Sequence, residues 1–463
     1  MKKLFILLLV LIYSTTSLIA QNNIQFSSDI QTLWGVGAPW TNEDVSAGKF
    51  LLGTTSFSPS LNAYAGNSSA FANGTISYDA VSNSLDFSLG ELWVDYSSAF
   101  WGLRVGRQKT AWGKADGIDI TNVICPSDMS SFSAITGDDS KLAVDALRFS
   151  VTKDAFTVDA YWIPFFTSAA LPLNEGNSLK KFIVPSSIAF PVASLGTVIN
   201  IPVSVGNLFK PECSLKNGEY GIKLSGYFSA LDVSLYGYYG WDDNPFFGYE
   251  ISYGTPSDPG DPTTALPQGI KVNGTYKRMS MVGIDFAIPV NQTVIRAETA
   301  FFPQRYFQKS NEKIMSQRMS ADYYAMATGT TPGKVEVAEQ HNELSALVGL
   351  DWMPSGWTIT AQYYCDYVFG NIDSIDRSKA YTHGATLSVS KSLVNETLEL
   401  GLNALMNFTD FDSLINPTVK YSLSDEIALE TGAFIFLPGP QNDGKYGAYK
   451  DLSTIYIKVK FSL

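Results

Sequence analysis

The chain has 463 residues and a formal net charge of −12, with 16% charged and 13% aromatic residues. Soluble domains contain about 25% charged residues, so this composition is unusual for a water-soluble protein, and the acidic balance argues against nucleic-acid binding. Three cysteines and two histidines are too few for a zinc or iron–sulfur scaffold. The mean hydropathy of +0.03 is too low for a bundle of membrane-spanning helices.

The first twenty residues have the pattern of a secretory signal peptide. Lys2 and Lys3 form a basic start, residues 4–12 are apolar, and small or polar residues follow up to Ala20. The apolar run is shorter than the ~20 residues that a spanning helix needs. We therefore predict cleavage after Ala20 and a single domain over residues 21–463; an uncleaved anchor helix is the alternative.

The remaining chain is dominated by segments in which apolar and polar residues alternate, as in residues 231–241 and 397–406. Alternation with a period of two places successive side chains on opposite faces of a strand. The segments are longer than the ~5–6 residues typical of globular sheets, and aromatic residues concentrate near their ends. Short connections also alternate with long ones. These features predict an all-β fold, a transmembrane antiparallel up-and-down β-barrel with long extracellular loops.

Eighteen strands are predicted. In chain order they lie near residues 24–36, 51–64, 70–80, 85–96, 100–109, 142–152, 155–163, 219–228, 231–241, 273–288, 293–302, 342–353, 357–368, 380–391, 396–407, 414–424, 426–436 and 451–462. Fourteen or sixteen strands remain alternatives because the first four segments alternate least clearly. In the fourth, a bulge at Gly90 would bring Leu85 and Leu92 onto one face.

The segment from Leu103 to Asp128 contains a distinctive set of residues: Gly106-Arg107-Gln108, Trp112-Gly113, Asn122, Pro126 and Asp128. This set resembles the signature of an uncharacterised porin-like family of bacterial outer-membrane barrels. The resemblance implies an outer-membrane location and a role in passive transport, without naming a solute. For an exported outer-membrane barrel, periplasmic chaperones and the barrel assembly machinery are expected partners.

The same segment supplies candidate residues for a pore constriction. If Leu103 and Val105 face lipid, Arg104, Gly106 and Gln108 face the lumen, and Gly106 would let a folded-in loop approach the backbone. The loop that follows carries charges that would set selectivity if it folds into the pore: Lys109, Lys114, Asp116 and Asp119. A loop that points outward into solvent is the alternative.

Further charged residues are expected to face the lumen, because a charge facing lipid at mid-bilayer costs roughly 2–4 kcal/mol. Glu91 and Asp95 are expected diagonal to Arg104 across the turn at 97–100. Asp285 and Arg296 are expected nearly opposite each other, with Glu298 one step further. Such groups would either stiffen the wall as ion-pair ladders or impose a transverse field on the pore. Tyr236 and Tyr238 are additional lining candidates.

The chain ends in a strand whose alternate residues are apolar: Ile455, Ile457, Val459, Phe461 and Leu463. It resembles the terminal strand that the barrel assembly machinery recognises, although that strand usually ends in Phe. An edge strand that merely ends the chain is the alternative.

No catalytic, metal or cofactor site is predicted. His341 and His383 lie in no motif that joins a histidine to a nucleophile and an orienting group. Cys125 and Cys213 lie in long loops and could pair, whereas Cys365 shares the lipid-facing parity of its neighbouring tyrosines.

The leading hypothesis is a porin-like channel for passive diffusion of small solutes, surrounded by outer-membrane lipid and independent of nucleic acid. A substrate-specific transporter for hydrophobic or sugar-like solutes is one alternative. A surface adhesin or structural barrel is another. Both a monomer and a trimer are compatible with the sequence.

Overall fold

A computed structural model describes residues 23–42, 45–131, 140–174, 177, 179–192, 196–442 and 444–463. The predicted signal peptide, residues 1–20, lies outside the described residues. No helix in these ranges is both long and apolar enough to cross a membrane.

The described chain forms twenty-two strands and two α-helices. In chain order the strands are β1 (Ile24–Gly37), β2 (Phe50–Ala65), β3 (Ser68–Asp79), β4 (Ser84–Ser97), β5 (Trp101–Gln108), β6 (Val144–Lys153), β7 (Phe156–Ile163), β8 (Ser187–Val192), β9 (Thr197–Phe209), β10 (Glu219–Tyr227), β11 (Asp232–Trp241), β12 (Phe246–Tyr253), β13 (Pro267–Thr275), β14 (Arg278–Val290), β15 (Thr293–Gln308), β16 (Ala338–Trp352), β17 (Trp357–Val368), β18 (Tyr381–Leu393), β19 (Leu398–Asn407), β20 (Asp412–Ser422), β21 (Ile427–Leu437) and β22 (Thr454–Ser462). The helices are α1 (Lys180–Ile183) and α2 (Asn311–Thr328). Single 3₁₀ segments cover Leu215–Asn217, Pro262–Thr264 and Gly447–Leu452.

Eighteen of these strands form one closed antiparallel barrel, in which β7 pairs with β10, β11 with β14, and β22 with β1. Each of the eighteen predicted segments overlaps one barrel strand, so the predicted fold is confirmed and the smaller barrels are excluded. The predicted bulge is confirmed as well: Gly74 pairs with Leu89 but Ala72 pairs with Leu92, so β4 has one extra residue near Gly90.

Alternation along each strand separates a lipid-facing surface from the barrel interior. On β11, Ser234, Tyr236 and Tyr238 are buried inside the barrel, whereas Leu235 and Tyr239 are about half exposed on the outside. An apolar outer face is what a barrel needs in order to replace protein–water contacts by protein–lipid contacts.

The barrel is closed by the first and last strands. The backbone N–H of Ser28 donates to the carbonyl of Leu463 at 2.9 Å, and the N–H of Leu463 donates back at 2.8 Å. The Lys460 ammonium also lies 3.2 Å from the Asp29 carboxylate. Ile455, Ile457, Val459 and Leu463 are exposed, and Phe461, which pairs with the exposed Ile30, shares their parity. The apolar side of the terminal strand therefore faces outward, and its role as an assembly signal stays a prediction.

Long connections leave one rim of the barrel, and the start of β1 and the end of β22 lie at the other. Two of the connections, expected to be irregular, contribute a four-stranded sheet with the order β8-β9-β13-β12, in which β9 and β13 run parallel. Pro191 and Pro202 obscured these strands, because proline in an apolar run argues against a sheet. Pro191 lies on the outermost strand, and Pro202 precedes the first β9–β13 pair at Val203.

Helix α2 was also not predicted. It packs against this second sheet, where the Tyr249 hydroxyl donates to Asn311 at 2.6 Å and the Tyr253 hydroxyl donates to Asp322 at 3.1 Å. The long loops therefore form a structured cap on one end of the barrel.

Deleting Phe461–Leu463 should destabilise the closed barrel. The deletion removes the mutual Ser28–Leu463 hydrogen bonds and leaves part of β1 as an open sheet edge. Unheated deletion protein should then run on a gel where boiled protein runs, and its level in the membrane fraction should fall. Leu463→Phe keeps the backbone and is the control; a wild-type gel shift for the deletion variant would contradict the closing role.

Candidate functional site

The connection between β5 and β6, residues 109–143, folds into the barrel and is called the inward loop below; it is described up to Ser131 and again from Ser140. Its main attachment is the carboxylate of Glu298 on β15, which is 3% exposed. This carboxylate accepts backbone N–H bonds from Lys114 (2.6 Å), Ala115 (3.0 Å) and Thr121 (2.7 Å), and also the Thr121 hydroxyl (2.7 Å). Hydrogen bonds to an ionised acceptor are the stronger kind, so one wall residue holds the loop through four donors.

A second attachment involves Arg296, two residues before Glu298 on the same face. Its guanidinium donates to the Lys114 carbonyl at 2.6 Å and to the Asp116 carboxylate at 2.8 Å, and it also pairs with Asp351 on β16. On β17, the Gln362 amide donates to the Asp116 carbonyl at 2.7 Å and accepts the Asp116 N–H at 2.9 Å. Two strands, β15 and β17, therefore bind the same stretch of loop, and Asp351 on β16 supports the Arg296 side chain.

The Trp112-Gly113 pair makes this close approach possible. Gly113 has a φ of +84°, and a Cβ built on it would lie 2.4 Å from a Glu298 carboxylate oxygen. Any larger residue would displace that oxygen and strain the backbone. The Trp112 ring packs against Tyr161 and Tyr236, with ring centroids 5.7 and 5.0 Å apart. Trp112 is thus the aromatic anchor of the loop, and Gly113 is the point of contact with the wall.

Beneath the loop lies an apolar core inside the barrel. Trp112, Ile120, Ile124 and Cys125 of the loop pack with wall residues that include Tyr161, Tyr236, Tyr238, Met279, Met281, Phe302 and Leu347. Several residues proposed as pore-lining are covered by this core. Tyr236, Tyr238, Gln108 and Asp285 are each at most 4% exposed, because the loop lies between them and the open lumen.

The pairing of β14 with β15 differs from the predicted one. Asp285 lies opposite Glu298, and Arg296 lies opposite Ala287. The prediction assumed a four-residue turn, whereas β14 continues for two more residues to a two-residue turn with Val290 opposite Thr293. The outcome is a pair of adjacent buried carboxylates. Asp285 accepts a hydrogen bond from the Tyr236 hydroxyl, and Glu298 is satisfied by the loop.

Of the charged residues predicted to meet on β4 and β5, only Asp95 and Arg104 form a pair. Asp95 lies directly opposite Arg104, not diagonal to it, with 3.0 Å between Oδ2 and Nε. The Arg104 guanidinium is 3.8 Å from the centre of the Trp93 ring. Glu91 does not join this pair; it accepts the Lys109 N–H at 2.8 Å and so holds the start of the inward loop.

Gly106 has a different role from the one predicted, and Arg107, for which no role was predicted, faces outward. Gly106 has a φ of +129°, and a Cβ on it would lie 2.3 Å from the Leu92 carbonyl oxygen. Glycine is needed there for contact with the neighbouring strand β4, not with a folded-in loop. Arg107 has outward parity and pairs with Asp145 at 3.2 Å.

The remaining loop charges and the cysteines have definite positions. Asp119 pairs with Lys141, and Asp116 with Arg296. Cys125 and Cys213 are both free, so the pairing that the sequence left open is not formed. Cys125 is buried inside the barrel, where burial raises the pKa of its thiol to about 11, whereas Cys213 is exposed in the connection between β9 and β10.

The chain matches one protein family and is similar to several solved structures. A family model described as "Protein of unknown function (DUF1302)" matches residues 53–424. No curated protein sequence matches the chain. Among solved structures, the chain is similar to the outer membrane channel DcaP of Acinetobacter baumannii, with 9% identity, a TM-score of 0.41 and 95% of this chain and 97% of that chain covered. It is also similar to OccAB3 of the same organism, with 8% identity, a TM-score of 0.48 and 96% of this chain and 100% of that chain covered. The similarity to OpdL of Pseudomonas aeruginosa has 9% identity, a TM-score of 0.48 and 96% of this chain and 99% of that chain covered.

Gly113→Ala should loosen the inward loop. The added methyl group would displace the Glu298 carboxylate, whose charged hydrogen bonds are worth roughly 1.5–3 kcal/mol each. Trypsin should therefore cleave after Lys114 about tenfold faster in the folded variant than in the wild type. Gly117→Ala is the matched control, because Gly117 also has a positive φ (+70°) but its Cβ would meet no atom within 4 Å. Equal cleavage rates in the two variants would show that contact with Glu298 does not hold the loop.

Proposed function

The chain belongs to the DUF1302 family, and from its loop-narrowed barrel we propose that it is a channel for passive diffusion of small solutes across the bacterial outer membrane. The observation that carries the proposal is the attachment of the inward loop to Glu298 inside a closed eighteen-stranded barrel. Barrels of sixteen to eighteen strands are too wide for their own side chains to fill. A loop held against one wall narrows such a lumen to a defined path.

The opposite part of the wall supports an aqueous path. On β2, Ser56, Ser58 and Ser60 face the interior, alternating with the outward-facing Phe57 and Leu61. The Ser58 hydroxyl is 2.9 Å from that of Thr75 on β3. Small hydroxyl side chains leave room for water and provide hydrogen-bond partners, whereas the loop side of the lumen is filled by the apolar core.

A substrate-specific transporter is the second candidate. The observation that favours it is a cavity of about 520 Å³ between residues 117–120 of the inward loop and the wall strands β15–β19. A cavity of this size matches the ~300–1,000 Å³ of typical small-molecule sites.

Planar-bilayer recording of the purified protein tests the channel, and Glu298→Ala tests the role of the loop. Wild-type protein should give stepwise ionic currents. Glu298→Ala should increase the unitary conductance, because four donors lose their acceptor at a cost of roughly 1–3 kcal/mol for each buried group left unsatisfied, and the loop leaves the lumen.

Glu399→Ala is the matched control, since Glu399 faces the interior from β19, opposite Lys420. Its conductance should stay close to the wild-type value. Absence of current from correctly folded wild-type protein would contradict the channel, and unchanged conductance of Glu298→Ala would contradict a loop-defined constriction.

A further inference from the structure

The cavity of about 520 Å³ is enclosed by three parts of the chain. The inward loop contributes residues 117–120, the barrel wall contributes residues of β15 to β19, and the connection between β21 and β22 contributes Lys445. Polar side chains dominate the wall, among them Ser345, Thr382 and Asn407.

The carboxylates that line this cavity already have partners. Glu343 accepts from Arg305 at 2.7 Å, Asp366 pairs with Arg377 and accepts from Thr382, Asp119 pairs with Lys141, and Asp410 accepts from Asn407 at 2.9 Å. The two arginines in the cavity are thereby neutralised by wall carboxylates.

Lys445 differs from these cations. Lys445 is exposed to the cavity, and within the described ranges no carboxylate lies within ion-pair distance of its ammonium, which is 5.5 Å from the centre of the Tyr446 ring. Asp366, Asp412 and Asp119 act on this ammonium only through space. An exposed ammonium with no carboxylate in direct contact is available to bind an anion, with which it forms a charge-assisted hydrogen bond.

The backbone around Lys445 is fixed by a second buried carboxylate. Asp412 on β20 is 2% exposed, and its Oδ2 accepts the backbone N–H groups of Tyr446 and Gly447, at 2.5 and 2.7 Å. Gly444 has a φ of +91°, and a Cβ on it would lie 2.7 Å from the same oxygen. The turn that presents Lys445 to the cavity is therefore held in place from the barrel wall.

We propose that this cavity is a binding subsite for compact organic anions, in which the Lys445 ammonium binds a carboxylate or phosphate group and the polar wall binds the rest of the solute. The subsite rests on the proposed transport function and adds a solute class to it. An opposite charge gives strong, short hydrogen bonds to such groups.

Titration calorimetry of the detergent-solubilised full-length protein tests the subsite with three probes of similar size: gluconate, glucose 6-phosphate and neutral glucose. Lys445→Gln should weaken binding of at least one anionic probe by about tenfold or more, and wild-type protein should bind that probe more tightly than glucose. Lys450→Gln, in the same connection but outside the cavity lining, is the matched control and should bind like the wild type. Lys445→Arg retains the charge and should bind within about threefold of the wild type.

Equal affinity of the anions for the wild type and Lys445→Gln, or binding of glucose as tight as that of the anions, would overturn the subsite. Folding of every variant is checked by the heat-dependent gel shift. Calorimetry requires no ion flow, so Lys445-dependent binding without conductance would overturn the channel and keep the subsite. Conductance without Lys445-dependent binding would overturn the subsite and keep the channel.

Discussion

A single buried carboxylate determines how the barrel interior is organised. Glu298 lies beside Asp285 on adjacent strands, and two neighbouring carboxylates in a dry interior are costly unless each has hydrogen-bond donors. The Tyr236 hydroxyl donates a hydrogen bond to Asp285. The inward loop donates three backbone N–H groups and a hydroxyl to Glu298. Placing the loop there also covers the apolar core around Trp112. The inward position of the loop therefore satisfies the buried carboxylate of Glu298.

Much of the barrel could be predicted from local sequence pattern, because lipid on one side imposes a period of two on every strand. The alternation at 231–241 and 455–463 identified strands β11 and β22, and the change of phase around Gly90 identified a bulge. The Trp112-Gly113 pair identified the segment that folds into the barrel. Its function there, to anchor the loop and to contact Glu298, depends on a residue far away in the chain.

Features that depend on register or on contacts between distant loops could not be predicted. The partner of Asp285 changed from Arg296 to Glu298 because two more residues, ending at Val290, belong to β14. The parallel pairing of β9 with β13 joins two separate connections, and no local pattern reveals such a partner. Lys445 was likewise overlooked, since its exposure to a cavity follows from how Asp412 holds the following backbone.

Cross-linking the loop to the wall tests the central claim most directly. A Cβ on Gly283 would lie 2.6 Å from a methyl carbon of Thr121, and disulfides join Cβ atoms about 3.5–4.5 Å apart. In a background with Cys125, Cys213 and Cys365 replaced by Ser, the pair Thr121→Cys and Gly283→Cys should form a disulfide in the folded protein. The unitary conductance of the cross-linked protein should equal that of the cysteine-free background and should not change when the disulfide is reduced. Failure of the two cysteines to react, or a fall in conductance when they do, would contradict a loop that normally lies in the lumen.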